Sequence, residues 1–325
     1  MTLQDPVAIH QNHPTRGQAA IPAADICAVI VTYAPEPALL AQVVASVQTQ
    51  VGHVVIFDNG SPGIDVATVL AGVEAVTVVA SACNVGLAAA LNRGIERARA
   101  LGVGHVLLMD QDSVLHAGMV EILAQALAAL SAHAPVAAVG PQFVDARSGK
   151  SAPFVRMGFP FNDKDYGGPG QTVSCDFLIT SGSLMPLAAL DRVGGMDESL
   201  FIDNVDMDWC FRAKAAGMEL HGVCDAQMRH RLGEHLRASR FKPHGVVVHK
   251  PFRLYYIMRN RVRLYARAST PRVWVAQDVP RLVLKFLGNS LFIAPRWIRL
   301  RFMCRGLWDA LRGRGGPMPA PWRLL

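Results

Sequence analysis

The chain has 325 residues, 51% of them hydrophobic and only 18% charged, so it can bury a sizeable core and is not disordered throughout. No apolar run reaches the roughly 18–20 residues that span a bilayer, and no basic stretch followed by an apolar one opens the chain, so neither a membrane span nor a secretory signal is expected. The net charge of +7 is divided unevenly: residues 1–250 hold 17 Lys and Arg against 23 Asp and Glu, whereas residues 251–325 hold 15 against 2. A neutral-to-acidic body with a basic tail calls for an anionic partner, whether phospholipid, nucleic acid or a phosphate-bearing substrate.

Residues 1–24 are polar and read as a flexible leader. From Ile26 the chain alternates strands and helices: a strand at 26–33 (ICAVIVTY), a helix at 36–50, a strand at 53–58 (HVVIFD), another at 76–80 (VTVVA), a helix capped by Asn84 and running to about Leu101, and a fourth strand at 105–110 (HVLLMD). That alternation predicts an α/β fold with a mostly parallel, Rossmann-like sheet covered on both faces. Residues 25–143 form its first half and 144–265 its second. Residues 144–175, rich in Gly, Pro and Asp, are expected to form a mobile loop or flap. The tail, 266–325, reads as basic amphipathic helices. Six cysteines, at 27, 83, 175, 210, 224 and 304, form no C-x-x-C pair; buried thiols in a reducing cytoplasm are expected rather than a zinc site.

Ligands of such sheets bind beyond the carboxyl ends of the strands, where this chain places Thr32, Tyr33, Asp58, Asn84, Asp110 and Asp112. In Leu107-Leu108-Met109-Asp110-Gln111-Asp112-Ser113, two carboxylates one residue apart follow a buried strand. Hard oxygen donors so placed suit Mg²⁺ or Mn²⁺ on a diphosphate; a loop Asp with a capping residue behind it is the plainer alternative. Asp58, in FDNGS, can accept from a base or ribose, or make an Asx-turn. The small residues of NVGLAAALNRG let a helix N-terminus approach an anionic ligand, with Gly86 at its start and Asn92 two turns in, or they form an ordinary capped helix. Three carboxylates stand close together in FIDNVDMDWCFR. Asp208 and Arg212 are spaced as an i,i+4 pair, leaving Asp206, or Asp203, to act as a general base. His230 and His249 receive no catalytic role.

In this order, IVTY, FDNGS, NVGLAAALNRG, LLMDQDS, TSGSLMPLAALDRVGGMDESLFIDNVDMDWCFRAKAAG and YYIMRNR resemble the inverting glycosyltransferases of family 2, which have the GT-A fold, and most of all their bacterial rhamnosyltransferase branch. The likeness covers about residues 26–265 and extends to ICAVIV and MRHRLGE. It implies that Thr32, Tyr33 and Asp58 hold the nucleotide, with Asn84, Gly86 and Asn92 on the donor side. Asp110 and Asp112 would be the D-x-D pair, Asp112 ligating Mg²⁺ or Mn²⁺. Gly182 and Asp203 would shape the acceptor side, Asp206 would be the catalytic base, and Arg259 would neutralise the leaving diphosphate. Val205 departs from the family's usual acidic residue, and Asp203 is the alternative base.

The implied reaction moves L-rhamnose from dTDP-β-L-rhamnose to a saccharide or lipid-linked saccharide in surface polysaccharide synthesis, giving an α-L-rhamnoside. The rivals are transfer from UDP-galactofuranose, UDP-glucose or a GDP-sugar, and a non-catalytic nucleotide-sugar scaffold. Nucleotidyl transfer is disfavoured because the first loop, VTYAPEP, has no Gly-rich basic phosphate site. The tail, with Trp274, Trp297 and Trp308, is expected to dock on an anionic membrane surface, to pack on the body or to form a homodimer. Its arginines are interleaved with apolar residues, which argues against nucleic acid. The expected location is cytoplasmic, peripheral on the inner membrane face.

Overall fold

A computed structural model describes residues 20–145, 149, 151–230, 235–239 and 242–322; most of the leader and the RLGE end of MRHRLGE lie outside them. In chain order the elements are β1 (Ile26–Thr32), α1 (Pro37–Gln48), β2 (His53–Asp58), α2 (Val66–Val69), β3 (Val76–Ala80), α3 (Leu87–Ala100), β4 (His105–Asp110), β5 (Val114–Leu115), α4 (Met119–Ser131) and β6 (Val136–Asp145). There follow β7 (Phe154–Arg156), β8 (Asp163–Asp165), β9 (Thr172–Cys175), β10 (Ser183–Pro186), α5 (Leu187–Val193), α6 (Val205–Ala215), β11 (Glu219–His230), β12 (His235–Ser239), β13 (Lys242–Val248), α7 (Pro251–Tyr265), α8 (Arg272–Leu291) and α9 (Arg296–Leu311).

One nine-stranded sheet runs through both halves in the order β3-β2-β1-β4-β10-β6-β11-β5, with β9 paired to β11. Strands β3, β2, β1 and β4 are parallel, and β10 enters antiparallel between β4 and β6. All seven residues of β1 are buried, as a strand covered on both faces requires. Its alternate side chains divide the core. Cys27, Val29 and Val31 join Leu91 and Ile95 of α3 and Trp209 of α6, while Ile26, Ala28 and Ile30 join Leu40, Val43 and Val47 of α1 and Leu123 of α4.

The stretch expected to be a flap is more regular than its composition suggests. It contains the β7–β8 hairpin and the sheet strand β9, because Phe154, Val173 and Cys175 are buried side chains that anchor it. Cys27, Cys175, Cys210 and Cys224 are buried while Cys83 and Cys304 are exposed, and all six are free thiols. Burial pushes the Cys27 and Cys175 thiols up to about 12, so neither is a nucleophile at neutral pH.

The tail forms α8 and α9. Helix α9 lies along α7, closely enough that a Cβ on Gly306 would stand 2.4 Å from the Tyr255 carbonyl oxygen. Arg261 and Tyr265 of α7 bind Asp278 of α8 at 2.9 and 2.6 Å. Trp274 is buried against Phe211 and Tyr265, which corrects its expected place on a docking face; Trp297 and Trp308 do stand exposed. Among the described residues no helix is long and apolar enough to cross a membrane.

Candidate active site

Parallel register alone brings the first cluster together. Thr32 pairs with Asp58 across β1 and β2, and Val31 pairs with Asp110 across β1 and β4, so three polar residues end adjacent strands on neighbouring rungs. Thr32 Oγ1 donates to Asp58 Oδ1 at 3.2 Å and Ser61 Oγ donates to the same oxygen at 2.5 Å. The Tyr33 backbone N–H donates to Gln111 Oε1 at 2.7 Å, and Gln111 Nε2 donates back to the Tyr33 carbonyl. Residue 111, inside the D-x-D segment, thus fixes the loop after β1 and leaves the Tyr33 ring exposed.

Asn84 builds its turn rather than reaching outward. Its Oδ1 accepts from the Gly86 N–H at 2.9 Å and from Asn59 Nδ2 at 3.2 Å, while Asn59 Oδ1 accepts from the Val85 N–H. Gly86 has φ +91°, and a Cβ there would lie 2.5 Å from the Phe201 ring; both facts demand glycine. The first N–H groups of α3, expected to face an anion, are capped from within. The Phe201 carbonyl accepts from Leu87 at 2.6 Å and from Ala88 at 3.3 Å. Asn92 likewise bridges α3 to the loop after α5: its Nδ2 donates to the Met196 carbonyl and to Glu198, and its Oδ1 accepts from the Met196 N–H. Gly86 and Asn92, expected on the donor side, therefore serve the contact between α3 and residues 196–201.

The second cluster is the loop before α6. Phe201, Asp203 and Asn204 all have φ near +65°, a region that is costly for residues with a Cβ, above all for Phe. Arg259 and Asn260 of α7 hold this backbone from below, both fully buried. Arg259 donates to the carbonyls of Ser199 (3.1 Å), Leu200 (2.8 Å) and Gly316 (2.6 Å) and to Asn260 Oδ1. Asn260 Nδ2 donates to the carbonyls of Leu200, Ile202 and Asp203. Four of its five N–H donors are taken by these carbonyls and Asn260, and its guanidinium is stacked on Tyr255 and Tyr256, so the structure places Arg259, expected at the diphosphate, as a buried clamp on the loop.

The same loop sorts the carboxylates. Asp208 is buried between Arg212, at 2.9 Å, and Arg267, the structural pairing its spacing suggested. Both oxygens of Asp203 face the Arg253 guanidinium. Among the described residues no cation stands against the Asp206 carboxyl, which accepts from the Met207 N–H at 2.8 Å. Burial raises its pKa above the ordinary carboxylate value, and the nearby negative charge of Asp203 adds to this against the lowering effect of N–H groups, among them that of Thr180. It borders a small cavity with Ile179, Thr180, Trp209 and Cys210. A carboxyl buried beside apolar side chains in this way is suited to general-base work. His249 is held neutral, its pKa lowered to about 4 by burial and then by Lys285 and Arg253. The ring of His230 lies outside the described side chains.

Residues 180–183 link the clusters. Ser181 Oγ accepts from the Asp110 N–H at 3.1 Å and donates to Ser113 Oγ at 2.8 Å, while Thr180 lines the same small cavity as Asp206. Gly182 has φ +82°, and a Cβ there would strike Pro141 and Met228; its N–H donates to the Leu108 carbonyl. Thr180 and Ser181 thus join the candidate site, which the sequence signalled only through the neighbouring glycine. No group of three His, Cys, Asp or Glu side chains forms a metal cage among the described residues. Mg²⁺ and Mn²⁺ sites of nucleotide enzymes need none, because one or two carboxylates are completed by phosphate oxygens and water. The Asp110 and Asp112 donor set fits that requirement.

Comparison with known proteins agrees with this architecture. The sequence model of "Glycosyl transferase family 2" matches residues 27–184. The dTDP-rhamnosyl transferase RfbF of Shigella flexneri is 29% identical over 294 residues, which span 90% of this chain and 96% of that protein. Among solved structures, GalNAc-T7 with UDP, GalNAc and Mn²⁺ superposes with a TM-score of 0.56 at 12% identity over 90% of this chain, and TarS of S. aureus with 0.53 at 15% over 92%. The chain spans 56% and 50% of their lengths, and at such identities they speak to the fold alone. The family 2 glycosyltransferase model thus matches residues 27–184, the likeness to a rhamnosyl transferase runs through 90% of the chain, and both support glycosyltransferase activity on a GT-A-like sheet flanked by helices.

Proposed function

We propose that the chain transfers L-rhamnose from dTDP-β-L-rhamnose to a hydroxyl of a saccharide or lipid-linked saccharide acceptor in bacterial surface polysaccharide synthesis, working on the cytoplasmic side. The choice of donor is carried by the end-to-end likeness to RfbF. The choice of reaction is carried by residues 180–181, which join the D-x-D strand end to the cavity bordered by Asp206, the one carboxyl of the 203–208 group with no cation against it among the described residues.

Thr32, Tyr33 and Asp58 would receive the base and ribose, and Asp110 and Asp112 would hold Mg²⁺ or Mn²⁺. Such an ion supplies charge neutralisation to a departing diphosphate. Asp206 takes the proton of the acceptor hydroxyl as its oxygen attacks the anomeric carbon. The attack comes from the face opposite the leaving group, so a single displacement inverts the configuration. Asp203, locked to Arg253, lines the acceptor side and sustains the basicity of Asp206. Residues 25–143 act as the donor half and 144–265 as the acceptor half of one catalytic unit. Incubation with dTDP-β-L-rhamnose and a panel of saccharide acceptors, read by NMR of the product's anomeric signal, should give an α-L-rhamnoside. A β-linked product, or turnover only with UDP- or GDP-sugars, would refute the proposal.

A further inference from the structure

Of the fifteen large apolar side chains that stand exposed among the described residues, ten lie between Val279 and Leu311. They are not scattered. On α8, Val279, Val283, Leu287 and Leu291 follow one another at i,i+4 spacing, with Leu284 beside them, and the exposed Ala276 and Pro280 fall on the same side. An ordinary surface helix turns an apolar stripe inward and a polar one outward. Helix α8 buries Asp278 and Asn289 with Trp274 and Leu282 and turns its aliphatic stripe to solvent. The stripe runs on into Phe292, Trp297 and Ile298 at the elbow between α8 and α9, the first two 73% and 70% exposed.

The charges on these two helices are equally one-sided. Arg272, Arg281, Arg296 and Arg301 are exposed. The only carboxylates, Asp278 and Asp309, are buried and neutralised inside by Arg261 and Arg305, so the outer surface is apolar and cationic with no exposed acid. A second copy docking through this face about a two-fold axis would set one cationic face against another, whereas an anionic lipid surface meets both features at once. The Gly158-to-Pro160 loop is pinned to α8 by Gln277 and exposes Phe159 and Phe161 at 72% and 81%, adding two rings from the catalytic body.

We infer that the α8 stripe and the α8–α9 elbow form a membrane-docking surface for anionic phospholipid, inserting Leu284, Leu287, Leu291, Phe292 and Trp297 while the exposed arginines lie at the headgroups. The surface stands on its own geometry. It deepens the proposed function, on which it rests only for the acceptor: a lipid-linked saccharide would be met where its lipid is anchored. Because α9 packs on α7, and α7 clamps the loop that carries Asp203, docking would hold the acceptor side of the site near the bilayer.

The test is flotation of the full chain with vesicles of equimolar phosphatidylcholine and phosphatidylglycerol, with phosphatidylcholine alone as control. Recovery is expected with the anionic vesicles only and should decline as salt is raised. Leu287→Glu with Leu291→Glu should lower the partition coefficient at least about tenfold, since it removes buried apolar area and adds like charge. Phe292→Ser with Trp297→Ser, at the elbow rather than in the helix, gives a second variant should the first not fold. Equal recovery with and without vesicles, or folded variants that float like the parent, would overturn the inference. So would a dimer in sedimentation that the substitutions dissolve, because the stripe would then belong to a second copy. Binding of dTDP-rhamnose, followed by thermal shift in the same samples, separates the two proposals: vesicle binding without donor binding sinks the donor assignment alone, and donor binding without vesicle binding sinks the docking surface alone.

Discussion

The two sides of the site are held by different means. On the donor side, Thr32, Asp58 and Asp110 sit on neighbouring rungs of a buried parallel ladder, so the hydrogen bonds that make the sheet also set the distances between them. On the proposed acceptor side, Asp203 lies in, and Asp206 just after, a loop with three left-handed non-glycine residues. That loop keeps its shape only because Arg259 and Asn260, more than fifty positions away, satisfy its carbonyls. Sheet register positions groups at little cost beyond the fold itself, whereas a strained loop needs a dedicated buried scaffold.

The largest expected effect separates chemistry from scaffolding. Asp206→Asn should lower the transfer rate by about 10²–10⁴, the range for loss of a general base, with dTDP affinity kept. It should leave the melting temperature no lower. A carboxyl whose folded pKa lies above its unfolded value costs stability once ionised, so at neutral pH the amide removes that cost. Unchanged turnover would move the base elsewhere.

Arg259→Lys tests the clamp. A lysine keeps the charge but cannot reproduce the fork to three carbonyls, so stability should fall by about 2–3 kcal/mol, as for a buried network left partly unsatisfied, while dTDP affinity per folded molecule is unchanged. Lost donor affinity at an unchanged melting temperature would return Arg259 to the diphosphate. Gly86→Ala should cost about 1–3 kcal/mol through its positive φ and the Phe201 ring, visible as a lower midpoint in urea; an unchanged midpoint would mean that the α3–Phe201 contact yields freely.

The smallest effect is on pH dependence. The base works ionised, so kcat/KM should fall as pH drops through the pKa of Asp206, and burial sets that limb above the ordinary carboxylate range. Asp203→Asn removes the neighbouring negative charge, which should move the limb to lower pH. A limb that stays put or rises would show that Asp203 does not act on the base.

The two sides also differ in how far the sequence revealed them. Strands β1 to β4 fall within a residue of their expected bounds, because fully buried parallel strands leave continuous apolar runs bounded by turn residues. Thr32, Asp58 and Asp110 were legible as the polar residues that end those runs. The acceptor side was not legible in the same way. Nothing local in YYIMRNR tells a buried Arg that binds carbonyls from an exposed one that binds phosphate. Likewise, the sequence around NVGL does not show that the carbonyl of the distant Phe201 caps the helix. In the tail, amphipathic helices were expected and are present, yet which face of α8 is buried followed from Asp278 pairing with Arg261 and Tyr265 of α7, a tertiary fact.

The measurement closest to the central claim is a thermal-shift series with dTDP, UDP and GDP and their sugars, with and without Mn²⁺, on the parent chain and on Asp112→Asn. Stabilisation reports binding to the folded protein directly. The largest shift is expected with dTDP-rhamnose, dependent on the metal and lost in the variant. A preference for UDP or GDP, or a shift indifferent to Mn²⁺ and to Asp112, would contradict the proposed site.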